Sequence, residues 1–340
     1  MNKRVVLRRY PKGLPVEADF AVDEVAVPAL EDGEILIRNL YFSLDAGFRN
    51  WMREGAGDNY LEAMALGAPV MSITLGKVER SRNPDFPVGS YVSGRHAWES
   101  YSVTDAKDFT APLSPEPGVP LHLYMGLLGL TGLTAYFGLI DIGQPKPGEI
   151  VVVSAAAGAV GTVAGQMAKA LGCHTVGITS TAEKMRWLRE TVGYDQAVSY
   201  KDPAGIAAAL KRACPDGLDI YFDNTGGEIL DAALGNMREG ARIILCGMVA
   251  QYHDDKHPPG PGNLWEAITK RATLKGFLAS DHVDRYGEAL ARLSAWYKAG
   301  AIKSFDEIVH GIERTPAAFC SMFRGANKGK LIVALDGGGQ

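Results

Sequence analysis

The chain has 340 residues, 46% hydrophobic and 22% charged, with a net charge of −4. That length predicts two domains with sizeable cores, and the composition is that of a soluble globular protein. The charge excludes a global field for nucleic acid or an anionic membrane surface, and no apolar run is long enough to span a bilayer.

The first ten residues, "MNKRVVLRRY", are basic, but Pro11, Lys12 and Gly13 follow in place of an apolar signal core, so the expected location is cytoplasmic. Residues 1 to about 125 contain short β-type runs such as "EILIRNLYFSL" and "GSYVSGRHAWESYSV", separated by Gly, Pro and Asp. They predict a twisted, partly barrel-like sheet region. From "LLGLTGLTAYFGLIDIG" onward, apolar strands alternate with turns and longer helices. Strands are predicted at 150–154, 175–179, 197–199, 218–223, 241–247 and 273–277, and helices at 160–171, 183–191, 205–213, 228–237 and 263–271. That alternation predicts an α/β fold with a doubly wound parallel sheet and right-handed crossovers. A further helix is expected at 286–299, then a strand in "GKLIVAL" that rejoins the first domain, and "DGGGQ" reads as a frayed tail.

Cys173, Cys214, Cys246 and Cys320 lie far apart, and none belongs to a C-x-x-C pair. They read as small packed residues in a reducing compartment, not as zinc thiolates or a redox dithiol. His253 and His257 are neighbours in the loop-like "YHDDKHPPGPGN", but no third convergent ligand is visible. No metal site is expected.

The chemistry is concentrated after the strand at 150–154. There "AAAGAVG" can be laid on G-x-G-x-x-G as Ala156, Gly158 and Gly161. Gly158 would let backbone approach a pyrophosphate, Gly161 would let the helix pack closely, and the helix N-terminus would attract the phosphates. An NAD site has an Asp or Glu at the end of the second strand, for the ribose hydroxyls. Here the segment reads "VGITSTAEKMRW", with Ser180 and Thr181 at that place and Lys184 beyond. Hydroxyls and a lysine favour a 2′-phosphate that a carboxylate would repel, so the expected cofactor is NADPH/NADP+. The alternative is that Lys184 is an ordinary solvated helix residue.

Several motifs in order carry a wider likeness: "LTAYFGLIDIGQPKPGE", "SAAAGAVGTVAGQMAKALGC", "DGLDIYFDNTGGEILDAAL", "CGMVAQY", "PPGPGN" and "GANKGKLIV". Through them the sequence resembles the zinc-independent medium-chain dehydrogenase/reductase superfamily, in its branch of NADPH-dependent alkenal and enone double-bond reductases. The resemblance implies a GroES-like, mainly β catalytic domain from 1–125 and 304–340, and a Rossmann NADP(H)-binding domain at 126–303. It implies pyrophosphate contacts from Gly158, Ala159, Val160 and Gly161, and places Lys184 and Tyr200 near the 2′-phosphate. Asn224, the turn from Cys246 and Gly247 to Tyr252, the run Phe277, Leu278 and Ala279, and Asn327 would line the cofactor. The zinc alcohol dehydrogenases of the superfamily use cysteine ligands, whereas this chain has none before Cys173. A homodimer joined through the cofactor-domain sheets is implied as well.

The implied reaction is hydride transfer to the β-carbon of a small apolar conjugated carbonyl, with the enolate stabilised by a hydrogen-bond donor. Tyr252 stands at the family's position for a tyrosine implicated in catalysis; packing beside the nicotinamide is its other reading. Where relatives read S-x-D-P-Y-M-R-G, this chain has "SLDAGFRN", so Gly47 replaces a pocket tyrosine and Arg49 is retained. Gly47, Phe48, Arg49 and Trp98 are the expected pocket residues, with ordinary core packing as the alternative for the aromatics. An NADPH:quinone oxidoreductase and a non-catalytic NADPH-binding protein remain open as rival readings.

Overall fold

In the first unit, runs of β-branched and aromatic residues alternate along seven strands: β1 (Asn2–Leu7), β2 (Phe20–Val25), β3 (Ile35–Ser43), β4 (Met71–Ser81), β5 (Tyr91–Ala97), β6 (Tyr101–Thr104) and β7 (Thr110–Leu113). The computed structural model describes residues 1–107, 109–252 and 260–338; His253 and His257 lie outside them. The second unit contains strands β8 (Ile150–Val153), β9 (His174–Thr179), β10 (Gln196–Ser199), β11 (Leu218–Asp223), β12 (Met237–Leu245) and β13 (Thr273–Gly276). Its helices are α1 (Leu130–Phe137), α2 (Ala159–Ala170), α3 (Ala182–Trp187), α4 (Ile206–Ala213), α5 (Gly227–Leu234), α6 (Trp265–Thr269) and α7 (Tyr286–Lys298). The chain then runs through β14 (Asp306–His310), α8 (Thr315–Phe323) and β15 (Lys330–Ala334).

The first unit comprises Met1–Met125, Glu307–Ala326 and Leu331–Gln340, and the second Gly126–Asp306 and Asn327–Lys330. The short stretch Asn327–Lys330 thus groups with the nucleotide-type unit instead of with the C-terminal segment around it. Backbone contacts explain this: the Gly329 N–H donates to the Ala157 carbonyl at 2.8 Å.

In the first unit a seven-stranded sheet has the order β14-β15-β3-β4-β5-β7, with β6 also on β3, and β1 and β2 form a separate antiparallel hairpin. The last strand completes this sheet, pairing Ile332 with Ser43 and Ala334 with Tyr41. Beyond it, "DGG" packs back: the Leu335 N–H donates to the Leu40 carbonyl at 2.9 Å and Gly338 is buried, so this part of the expected frayed tail is held. The core centres on Trp98, whose ring meets Phe20, Phe42 and Phe319 at centroid distances of 5.8, 6.2 and 5.1 Å.

The second unit is a six-stranded parallel sheet of order β10-β9-β8-β11-β12-β13. The sequence reverses direction between β8 and β11, which is the doubly wound arrangement with its switch point there. Val151, Val152 and Val153 of β8 and Ile220, Tyr221 and Phe222 of β11 are fully buried, as both-face coverage by helices requires. Two elements depart from expectation. Helix α1 has apolar residues all round, with Leu133, Ala135, Tyr136 and Phe137 buried, so it shows no amphipathic stripe to read. Strand β12 begins at Met237, inside the predicted helix, because Met237 pairs with Leu218 across an irregular register.

His96 of β5 sits between two hydroxyls, Nδ1 at 2.6 Å from Thr74 Oγ1 and Nε2 at 3.1 Å from Thr110 Oγ1. Burial pushes its pKa down to about 4. The unfolded chain takes up this proton near the ordinary histidine value of about 6.5, and the native state does so only at lower pH. Stability is therefore expected to fall as pH drops from about 6.5 to 4, by up to about 3 kcal/mol from this group. Urea unfolding across that range checks it: His96→Gln should show a shallower decline than the wild type.

Candidate functional site

The carboxyl ends of the parallel strands converge on the turn that follows β8. Ala155 takes a left-handed conformation there, with φ of 45°, and turns the chain into α2. Gly158 is the residue before the helix, and the Gly158 N–H donates to the Ala155 carbonyl at 2.8 Å. A Cβ on Gly161 would lie 2.4 Å from the Ala155 oxygen and 2.7 Å from Ala156 Cα, so only glycine lets α2 approach the turn this closely. Ala159, Val160 and Gly161 form the first turn of α2, whose amides have no acceptor within the helix and project positive potential beyond its start. Tyr194 braces the helix from behind, its hydroxyl donating to the Gly161 carbonyl at 2.6 Å.

The next strand ends carry the cationic corner. Ser199 of β10 pairs with Thr179 of β9, which brings Ser180 and Tyr200 side by side. Ser199 Oγ donates to the Ser180 carbonyl at 3.2 Å, and Tyr200 is 42% exposed. Thr181 caps α3, its hydroxyl accepting from the Lys184 N–H at 3.2 Å. Lys184 is not a solvated helix residue: it is only 8% exposed, and its Nζ donates to the Asn327 carbonyl at 2.6 Å. The first carboxylate after β9 is Glu183, which pairs with Lys328 at 2.5 Å.

At the switch point the strand ends are tied together by Asp223, a fully buried carboxyl. One of its oxygens accepts from the Tyr221 hydroxyl (2.8 Å), the Ser154 hydroxyl (3.1 Å) and the N–H groups of Thr225 (3.0 Å) and Gly226 (2.9 Å). Burial raises its pKa, and these four bonds offset only part of that rise. Asn224 is locked in turn, its N–H donating to Ser154 Oγ and its Nδ2 to the Ser154 carbonyl, both at 2.8 Å. The Cys246 and Gly247 N–H groups donate to the Asp223 carbonyl at 2.9 and 3.0 Å, which starts the turn toward Tyr252. The half-buried Tyr252 closes that turn, its hydroxyl oxygen accepting from the Met248 N–H at 3.0 Å. Burial raises the Tyr252 pKa and pushes the Cys246 thiol up to about 12, so both keep their protons at neutral pH.

Phe277 packs against Gly138 and is followed by the 37% exposed Leu278 and the buried Ala279. All these residues belong to the second unit, as does Asn327. The four pocket residues expected in the first unit are placed differently from one another. Arg49 is fully buried, its Nη2 donating to the carbonyls of Pro11 and Gly13, each at 2.9 Å. Trp98 is the fully buried centre of the aromatic core, and Phe48 packs beside Trp51 with centroids 6.4 Å apart. At Gly47 an added Cβ would meet nothing within 4 Å. Asp223 and Ser154 escaped the sequence reading; the available signal was a carboxylate ending the apolar run "LDIYFD". Among the described residues no three His, Cys, Asp or Glu side chains stand close enough to hold a metal ion.

Comparison with known proteins agrees with this geometry. The family described as "N-terminal domain of oxidoreductase" matches residues 3–111, and that described as "Zinc-binding dehydrogenase" matches residues 159–295. The chain is 40% identical to 2-alkenal reductase (NADP(+)-dependent) of Nicotiana tabacum, over 98% of each chain. It is 36% identical to NADPH-dependent curcumin reductase of Escherichia coli, over 99% of this chain and 97% of that one. The crystal structure of CurA in complex with NADPH from Vibrio vulnificus superposes with a TM-score of 0.91 at 35% identity, covering 98% of this chain and 99% of that one. With the parallel sheet, the glycine turn and the acid-free strand end, these likenesses place the chain in the zinc-independent medium-chain dehydrogenase/reductase superfamily, as a member of its alkenal and enone double-bond reductase branch.

Proposed function

We propose that the protein reduces the α,β-carbon double bond of conjugated enones and alkenals with NADPH. The observation that carries the cofactor assignment is the buried Lys184 ammonium at a strand end where the first carboxylate, Glu183, is already paired with Lys328. Lys184, Ser180 and Tyr200 would hold the 2′-phosphate, while the first turn of α2 with Gly158 and Gly161 would take the pyrophosphate. Asn224, the run Cys246 to Tyr252, Phe277, Leu278, Ala279 and Asn327 would line the remainder. When bound, NADPH would supply the hydride for the β-carbon of the substrate, and a proton from water would complete the reduction at the α-carbon.

The protein's own part is to orient and to donate. Tyr252 accepts from the Met248 N–H, which fixes the phenol, and its raised pKa keeps the hydroxyl proton in place for the developing enolate oxygen. Two further statements belong to this proposal. A homodimer is supported by β13, an edge strand, and by Leu264, Trp265 and Ile268 near it, which are 48%, 68% and 66% exposed. A cytoplasmic location is supported by four free cysteines.

A panel of alkenals, chalcone-like enones and quinones tests the reaction. NADPH consumption is expected with the first two classes; turnover of quinones alone, or binding without turnover, would replace this reading. Lys184→Ala should raise the KM for NADPH about tenfold or more and leave that for NADH nearly unchanged, as loss of a charge-assisted bond to a phosphate predicts. In single-turnover measurements Tyr252→Phe should slow hydride transfer by about 10²-fold, the typical cost of one oxyanion donor. Light scattering should give a dimer for the wild type and a monomer for the double variant Trp265→Asp, Ile268→Asp.

A further inference from the structure

Lys184 lies in the first turn of α3, whose helical backbone runs on through Leu188–Val192. What fixes its ammonium is the carbonyl of Asn327, 143 residues further along the chain. The segment Asn327–Lys330 is fastened on both sides of this contact. The Gly329 N–H donates to the Ala157 carbonyl at 2.8 Å, and Gly329 bridges Gly158, the residue that opens α2. Lys328 Nζ pairs with Glu183 on the first turn of α3 at 2.5 Å. The Lys330 N–H donates to the Phe305 carbonyl at 2.8 Å, and the Phe305 ring meets Trp187 of α3 edge-on at 5.2 Å. Gly329 has φ of 74°, and a Cβ there would lie 1.9 Å from the Phe305 oxygen, so the segment passes this point only as glycine.

We propose that Asn327–Lys330 is a clamp that positions Lys184 and thereby sets the preference for a phosphorylated over an unphosphorylated dinucleotide. The inference rests on the reading of Lys184 as the cation for the 2′-phosphate. A free lysine side chain loses its rotamer freedom when it engages a phosphate. Here the stem is already ordered by a backbone carbonyl, which carries no net charge to cancel that of the ammonium. The same segment touches the phosphate turn through Ala157 and Gly158, so the two phosphate subsites are mechanically joined. Gly329, Lys328 and Glu183 are positioning residues; none of them needs to touch the cofactor.

The test is a double-mutant cycle read by equilibrium binding of NADPH and NADH, with hydrogen exchange of the ligand-free protein as a second readout. Gly329→Ala is expected to lower the NADPH:NADH affinity ratio five- to tenfold and to speed amide exchange across 182–187 before any ligand is added. Glu183→Gln, at an exposed ion pair, keeps the test open should Gly329→Ala not fold. Removing this carboxylate would by charge alone favour NADPH, whereas a loosened clamp lowers the ratio two- to threefold. In the Lys184→Ala background Gly329→Ala should leave the ratio unaltered, and Glu183→Gln should no longer lower it but raise it slightly, its charge effect alone remaining. If Lys184→Ala abolishes the preference while Gly329→Ala and Glu183→Gln leave ratio and exchange untouched, the clamp is wrong and the cofactor reading stands. If Lys184→Ala itself leaves the ratio unchanged, the cofactor reading fails and the clamp falls with it.

Discussion

Six parallel strands in one sheet must all end on the same edge, and the gathering of turn residues in the second unit follows from that constraint. Each strand turns into its helix at this edge, so the residues just past β8, β9, β10, β11 and β12 become neighbours although they are far apart in the chain. Gly158, Ser180, Tyr200, Asn224 and Cys246 are those residues. An antiparallel sheet would send alternate ends to opposite edges and could not assemble them. The edge also gathers helix N-termini, whose unpaired amides suit an elongated anion better than any single side chain does.

Convergence alone would leave these turns loose, and Asp223 supplies the stiffness. A buried carboxyl is costly unless it finds donors; here four donors, Ser154 and three from the stretch 221–226, meet one oxygen. The arrangement couples the end of β8, through Ser154, to the end of β11 and the start of α5. Asn224 and the turn that ends at Tyr252 inherit their positions from this knot. Hydrogen bonds in such a low-dielectric cluster reinforce one another, so its members act as a unit more than as a sum of pairs.

Much of this edge was legible in the amino-acid sequence because it depends on short-range signals. Strand, glycine turn and helix follow one another within about twenty residues around Gly158 and Gly161, and the serine and lysine after β9 stand where local spacing puts them. What escaped depends on partners remote in the chain. Arg49 looks like a polar pocket residue until the carbonyls of Pro11 and Gly13 fold around it. Trp98 looks like a cleft aromatic until Phe319 arrives from the C-terminal segment. Helix α1 gave no periodicity because it is covered on nearly every side, and β12 hid its first residues in a helical-looking run that its pairing with Leu218 overrides. Asp223 was in plain view, but a carboxylate at the end of an apolar strand says only that something must satisfy it, not what.

The pairing of β15 with β3 has a bearing on how the chain is made. Synthesis proceeds from the N-terminus, so the first 125 residues emerge long before Lys330–Ala334, whose strand completes their sheet. The parallel sheet, by contrast, has all of its strands once Gly276 has left the ribosome. The earlier-born unit therefore waits, with the Tyr41–Ser43 end of β3 uncovered, while the later-born sheet closes, which reverses the usual vectorial order. During that interval this end of β3 is a short open strand edge of the kind that chaperones shield and that misassembly exploits.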